Sequence, residues 1–139
     1  MGNSAQAQTS GIRSFDTFVE DECCGKISFS LDEEFDDRTT RIFGAARTDG
    51  SVHMSIVPLL LMRAFTTIVD NRPPGNLHVG QTCELHQLPR AGSTLDAEVF
   101  CRYKEIKRNR LIIRFEVFLS EPSTGRRLLS GLTTIFWAK

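Results

Sequence analysis

The side chains best able to do chemistry in this 139-residue chain are four cysteines, three histidines and a few well-spaced acids. Cys23, Cys24, Cys83 and Cys101 contain no C-x-x-C pair and no zinc-module spacing, so reduced thiols are the expectation. Adjacent Cys23 and Cys24 rarely close a disulfide without strain, which argues against a redox role. His78 and His86 are an even number of residues apart, which places them, with Glu84, on one face of a regular strand. No carboxylate spacing around them marks metal ligands, and they read as structural. Asp49 and His53 form an Asp-x-x-x-His, a pattern common by chance. On its own it is an Asp-Gly turn followed by a polar residue just ahead of a helix. Residues 102–110 carry five bases, which suit a nucleotide phosphate or an acidic carrier protein, or else a solvated strand end and turn.

The elements that must position these residues follow from periodicity. Residues 1–11 are small and polar and read as a disordered tail, so the domain is expected over residues 12–139. After Gly25, Ile27, Phe29 and Leu31 alternate with Lys26, Ser28 and Ser30, as in a half-buried strand. Acid-rich residues 32–37 precede a short helix predicted over 38–47. Residues 55–71 are apolar almost all round, which predicts a buried helix with Ser55 as N-cap and Pro58 in its first turn. Alternation then predicts strands over 77–88, 93–107, 111–119 and 127–137, separated at Gly92, by Lys107-Arg108-Asn109-Arg110 and by Pro122-Ser123-Thr124-Gly125. In the second of these, Leu95, Ala97, Val99, Cys101 and Tyr103 share one face. The class is α+β, a single antiparallel sheet curved around one helix.

Composition excludes other readings. Seventeen Lys and Arg balance seventeen Asp and Glu, a poor start for a general nucleic-acid binder. The balance hides a split: residues 1–50 hold ten acids and five bases, residues 51–139 seven acids and twelve bases. The longest apolar run, residues 56–62, is far short of the ~20 needed to span a bilayer. With no apolar signal core near the start, a soluble cytoplasmic chain without a membrane partner is expected.

Four local patterns carry a family resemblance. Phe15-Asp16-Thr17-Phe18-Val19-Glu20-Asp21, Asn76-Leu77-His78-Val79-Gly80-Gln81, Pro89-Arg90-Ala91-Gly92-Ser93-Thr94-Leu95 and Ser123-Thr124-Gly125-Arg126-Arg127-Leu128-Leu129-Ser130-Gly131 follow one another around the apolar helix. Together they resemble the hot-dog fold, and within it the MaoC-like acyl dehydratases and (R)-specific enoyl-CoA hydratases, over residues 13–138. The resemblance implies a lyase of fatty-acid metabolism, an enoyl-thioester hydratase or dehydratase taking acyl-CoA or acyl-carrier-protein substrates. It implies no metal or cofactor, and a homodimer joined through sheet edges.

The family's motif, roughly G-D-x-N-P-x-H, is best matched by residues 43–53. Thr48 stands in place of its Gly, the Asn-Pro pair is absent, and Asp49 to His53 is one residue short of the family spacing. A second alignment puts Val52-His53-Met54-Ser55 on the family's later His-Gly at the start of the central helix. In the first, the resemblance implies that Asp49 orients and activates water, His53 exchanges protons, and the N–H groups of Ser55 and Ile56 hold the enolate oxygen. Two alternatives stay open: an acyl-thioester hydrolase of the same fold, and a non-catalytic acyl-binding or scaffold subunit. Against the hydrolase, the only acid of the apolar helix is Asp70, at its far end.

Overall fold

The computed structural model describes residues 11–44 and 49–139. Its strands are β1 (Cys23–Ser30), β2 (Leu77–Gln81), β3 (Glu84–Leu85), β4 (Thr94–Lys107), β5 (Arg110–Ser120) and β6 (Arg127–Trp137), and its helices are α1 (Glu33–Phe43) and α2 (Val57–Ile68). The strands form one antiparallel sheet in the order β1-β4-β5-β6-β2, with β3 also pairing to β6. The predicted tail over 1–11 lies, Gly11 apart, outside the described residues.

The core lies between the sheet and α2. Val57, Leu60, Leu61, Ala64, Phe65 and Ile68 are buried, a spacing that keeps one helical stripe on the sheet. From the sheet, Leu95, Ala97, Val99, Ile113, Phe115, Val117, Leu119 and Leu129 meet them, all fully or almost fully buried. At ~1.5–3 kcal/mol per large buried side chain, this contact dominates the stabilisation of the fold. The N-terminal segment closes one end. Phe18 stands edge-on to Phe115 at 5.2 Å and to Trp137 at 5.1 Å, and Trp137 Nε1–H donates to the Arg13 carbonyl at 2.9 Å.

Several sequence expectations are corrected. The first helix begins five residues earlier than predicted, because the Asp32 carboxylate accepts from the Phe35 N–H and caps it there. Its acids thus occupy the first turn instead of preceding it. The central helix starts at Val57 after a 3₁₀ turn, Met54–Ile56, and the residue that caps the turn with its side chain is His53, not Ser55. It is also not buried all round: Leu59 is 49% exposed, since no layer among the described residues covers that side. Finally, the strand predicted over 77–88 is two strands. The Thr82 hydroxyl accepts from the Leu132 N–H in the gap, and the register slips between His78 and Gly80, so His78 and His86 share no regular strand face.

A bulge in β4 also turns Tyr103 away from the face it was expected to share. Cys101 pairs with inward-facing Phe115, but Tyr103 pairs with Arg114, whose guanidinium lies over its ring at 4.9 Å. Lys104 thereby turns inward, and its Nζ donates to the Phe18 carbonyl at 2.8 Å.

Candidate active site

Residues 50–52 are pinned by backbone bonds to the loop before β4. Ala91 N–H donates to Gly50, Val52 N–H donates to Pro89, and Ser51 bridges to Arg90. This short edge leads straight into the 3₁₀ turn and α2, so the residues on it are held against the start of the apolar helix. Ser51 and Val52 are buried, Asp49 is exposed and His53 is half-buried.

Asp49 Oδ1 accepts from the Ser51 N–H at 3.0 Å and from the Ser51 hydroxyl at 2.6 Å. Charge-assisted bonds of this kind hold a carboxylate in one orientation. The carboxylate borders a recess of about 210 Å³ whose other walls are Ser51, Gln87, Leu88 and Arg90.

His53 does not belong to those walls. Its Nδ1 accepts from the Ser55 N–H at 3.1 Å, and its ring stacks on Phe43, at the end of α1, with centroids 6.1 Å apart and planes 17° apart. The Ile56 N–H donates to the His53 carbonyl at 3.0 Å. Both N–H groups read as oxyanion donors are therefore engaged at rest, one by an imidazole and one by the turn. A neutral imidazole whose Nδ1 accepts a bond carries its proton on Nε2.

Other candidates fall away from this place. Asp70 lies past the C-terminal end of α2, paired with Arg13 at 3.4 Å. His86 Nε2 is 3.4 Å from Glu84 Oε1, which also accepts from the Ser130 hydroxyl. Of the four cysteines, all free, Cys23 and Cys83 are exposed; burial pushes the Cys24 thiol up to about 12 and raises that of Cys101. Among the described residues no group of three or more His, Cys, Asp or Glu side chains is placed to hold a metal ion.

Sequence reasoning missed Ser51, Phe43 and Arg90 as parts of this place. Asp49-x-Ser51 was a legible local signal, since an Asp two residues before a donor commonly folds back onto it. The contacts of Phe43 and Arg90 depend on tertiary packing and had no local signal.

No family model matches the chain, and no curated protein matches it in sequence. Solved structures match it in shape. The (R)-hydratase PhaJ1 of Pseudomonas aeruginosa superposes with a TM-score of 0.67 at 17% identity, covering 90% of this chain and 85% of that one. A MaoC-like dehydratase of Rhodospirillum rubrum gives 0.72 at 10%, covering 89% and 96%. The ChsH1–ChsH2 complex of Mycobacterium tuberculosis gives 0.68 at 14%, covering 86% and 98%. The chain has the hot-dog fold, and its neighbours of similar shape include MaoC-like dehydratases and (R)-hydratases.

Proposed function

We propose that the chain is a MaoC-like enoyl-thioester hydratase or dehydratase, working on acyl-CoA or acyl-carrier-protein substrates without a metal or cofactor. The observation that supports this reading is that Asp49 and His53 flank the pinned residues 50–52, which feed the apolar helix of a hot-dog fold. In it, Asp49 takes a proton from water as the oxygen adds to Cβ of the enoyl group, and that proton then goes to Cα. No proton is gained or lost overall. His53, whose Nδ1 accepts from the Ser55 N–H, donates from Nε2 to the thioester oxygen. The Ser55 and Ile56 N–H groups take the enolate oxygen by giving up their resting bonds to the His53 Nδ1 and carbonyl.

A second reading, an acyl-binding subunit without chemistry, is favoured by one feature: Asp49 is held by Ser51, and His53 and Ser55 bond to each other. Incubation with crotonyl-CoA separates the readings. Hydration adds the mass of one water and releases no thiol; hydrolysis releases free CoA; binding alone leaves the thioester intact. The first outcome is expected, and either of the others contradicts it. The homodimer and a cytoplasmic location remain parts of this proposal. Among the described residues no helix is long and apolar enough to cross a membrane.

A further inference from the structure

We propose that Phe43, the last residue of α1, is a positioning residue for the reaction: its ring keeps the His53 imidazole in its plane, so that Nε2–H stays aimed while the Ser55 N–H passes to the enolate oxygen. The catalytic consequence rests on the hydratase reading; the contact between the two rings stands on its own geometry.

The local sequence turns Phe43 toward His53. Phe35, Thr39 and Phe43 stand at i, i+4 and i+8, one stripe of α1. Thr39 is the buried residue of that helix and both aromatics are half-buried, whereas neighbouring Ile42 is 71% exposed. The stripe is braced at its ends. At the first turn the Asp32 carboxylate caps the helix, the Leu31 backbone bonds Gly92 and Ser93 ahead of β4, and Arg63 of α2 lies over the rings of Phe35 at 5.7 Å and Phe29 at 4.6 Å. Between the ends, Thr39 donates its hydroxyl within the helix, to the Phe35 and Asp36 carbonyls at 3.0 and 3.1 Å. At the last residue Phe43 meets His53, with planes 17° apart, and Gly44, at φ +92°, ends the helix directly after it. Near-parallel, offset rings with centroids 6.1 Å apart are an attractive arrangement.

The consequence lies in what holds the imidazole during turnover. At rest it has two holds, the Ser55 N–H on Nδ1 at 3.1 Å and Phe43 on its face. Hydration takes the first away, because the enolate oxygen needs that N–H. Phe43, its one aromatic contact among the described residues, remains. A flat neighbour resists rotation of the ring about Cβ–Cγ and leaves both nitrogens free to exchange partners. Such control matters, since misplacing a catalytic group by ~1 Å can cost about 10²-fold in rate.

Crotonyl-CoA kinetics of Phe43→Leu and Phe43→Tyr test the role. In Phe43→Leu, kcat is expected to fall by about 10–100-fold with KM unchanged; Phe43→Tyr, which restores a flat ring, is expected to recover most of it. Leu keeps an apolar side chain, so equal losses in the two variants would mean packing alone. In the parent, a nuclear Overhauser cross-peak between the Phe43 and His53 ring protons is expected. His53 is one of three histidines, and its signals are those lost in His53→Gln. An unchanged kcat in Phe43→Leu, equal losses in both variants, a raised KM at constant kcat, or an absent cross-peak overturns the proposal. The two claims fail separately. If the cross-peak is present but the parent leaves crotonyl-CoA intact, the hydratase reading fails and takes the catalytic role of Phe43 with it. If the parent hydrates crotonyl-CoA and Phe43→Leu is equally fast, the role of Phe43 fails alone.

Discussion

The 3.1 Å bond from the Ser55 N–H to His53 Nδ1 sets which hydrogen the imidazole offers to a ligand. With Nδ1 accepting, neutral His53 presents Nε2–H, which suits a hydrogen-bond donor and not a base. His53→Gln, which keeps an amide donor, is therefore expected to retain more hydration than His53→Ala, with kcat on crotonyl-CoA as the readout. Asp49→Asn removes the base and is expected to lower kcat by about 10²–10⁴-fold. Thiols give an independent check on the packing. Burial, reinforced by nearby Cys101, raises Cys24 from 9.0 to about 12. Above pH 9 the folded chain thus keeps a proton that the unfolded chain releases, so stability intact below pH 9 declines as pH rises toward about 12. Denaturant melts of Cys24→Ala across this range are expected to show a shallower decline than the parent. An equally steep decline would place Cys24 outside the core.

At the scale of elements, the β4–β5 turn and the inner face of β6 carry the clearest strain and crowding. Arg108 and Asn109 both take positive φ, +50° and +67°, between Lys107 and Arg110, which pair as the two strands close. Two-residue turns of this kind prefer Asn-Gly, so Arg108→Asn with Asn109→Gly is expected to stabilise by about 1 kcal/mol, read as a higher urea midpoint at unchanged slope. At Gly131 a Cβ would overlap the Thr82 carbonyl oxygen and press on Leu61 of α2. Gly131→Ala is therefore expected to destabilise by about 1–3 kcal/mol in the same assay. These elements also show what the sequence made legible. The alternation of β4, β5 and β6 and the apolar stripe of α2 are local periodicities, and they predicted the sheet and its helix. The β4 bulge at Cys101–Tyr103 is a register shift against β5, and the β2–β3 break and the His53 cap each carry one side-chain bond to a backbone N–H, none of which periodicity reports. The candidate site was legible as residue types and one local pattern: Asp49 and His53 could be named and Asp49-x-Ser51 signals a fold-back, but not that the Ser55 N–H would hold the His53 ring.

Across the whole molecule, the division of charge acquires a place. The acids of the first fifty residues include the exposed first turn of α1, whereas the bases of the rest of the chain include Arg102, Lys104 and Lys107 on β4, Arg110 and Arg114 on β5 and Arg127 on β6. Some exposed apolar side chains lie on an edge: Leu77 (55% exposed) and Val79 (47%) on edge strand β2, with Leu59 on the exposed side of α2. An exposed apolar edge invites a second strand, in keeping with the proposed homodimer. Sedimentation is expected to show a dimer for the parent and a shift toward monomer for Leu59→Asp/Val79→Asp; a parent that sediments as a monomer contradicts it. The central claim remains the chemistry at the head of α2, and enoyl absorbance with crotonyl-CoA tests it most directly. The account predicts that absorbance falls with the parent protein, without thiol release, and hardly changes with Asp49→Asn. An unchanged signal with the folded parent, or an equal fall with both proteins, would contradict it.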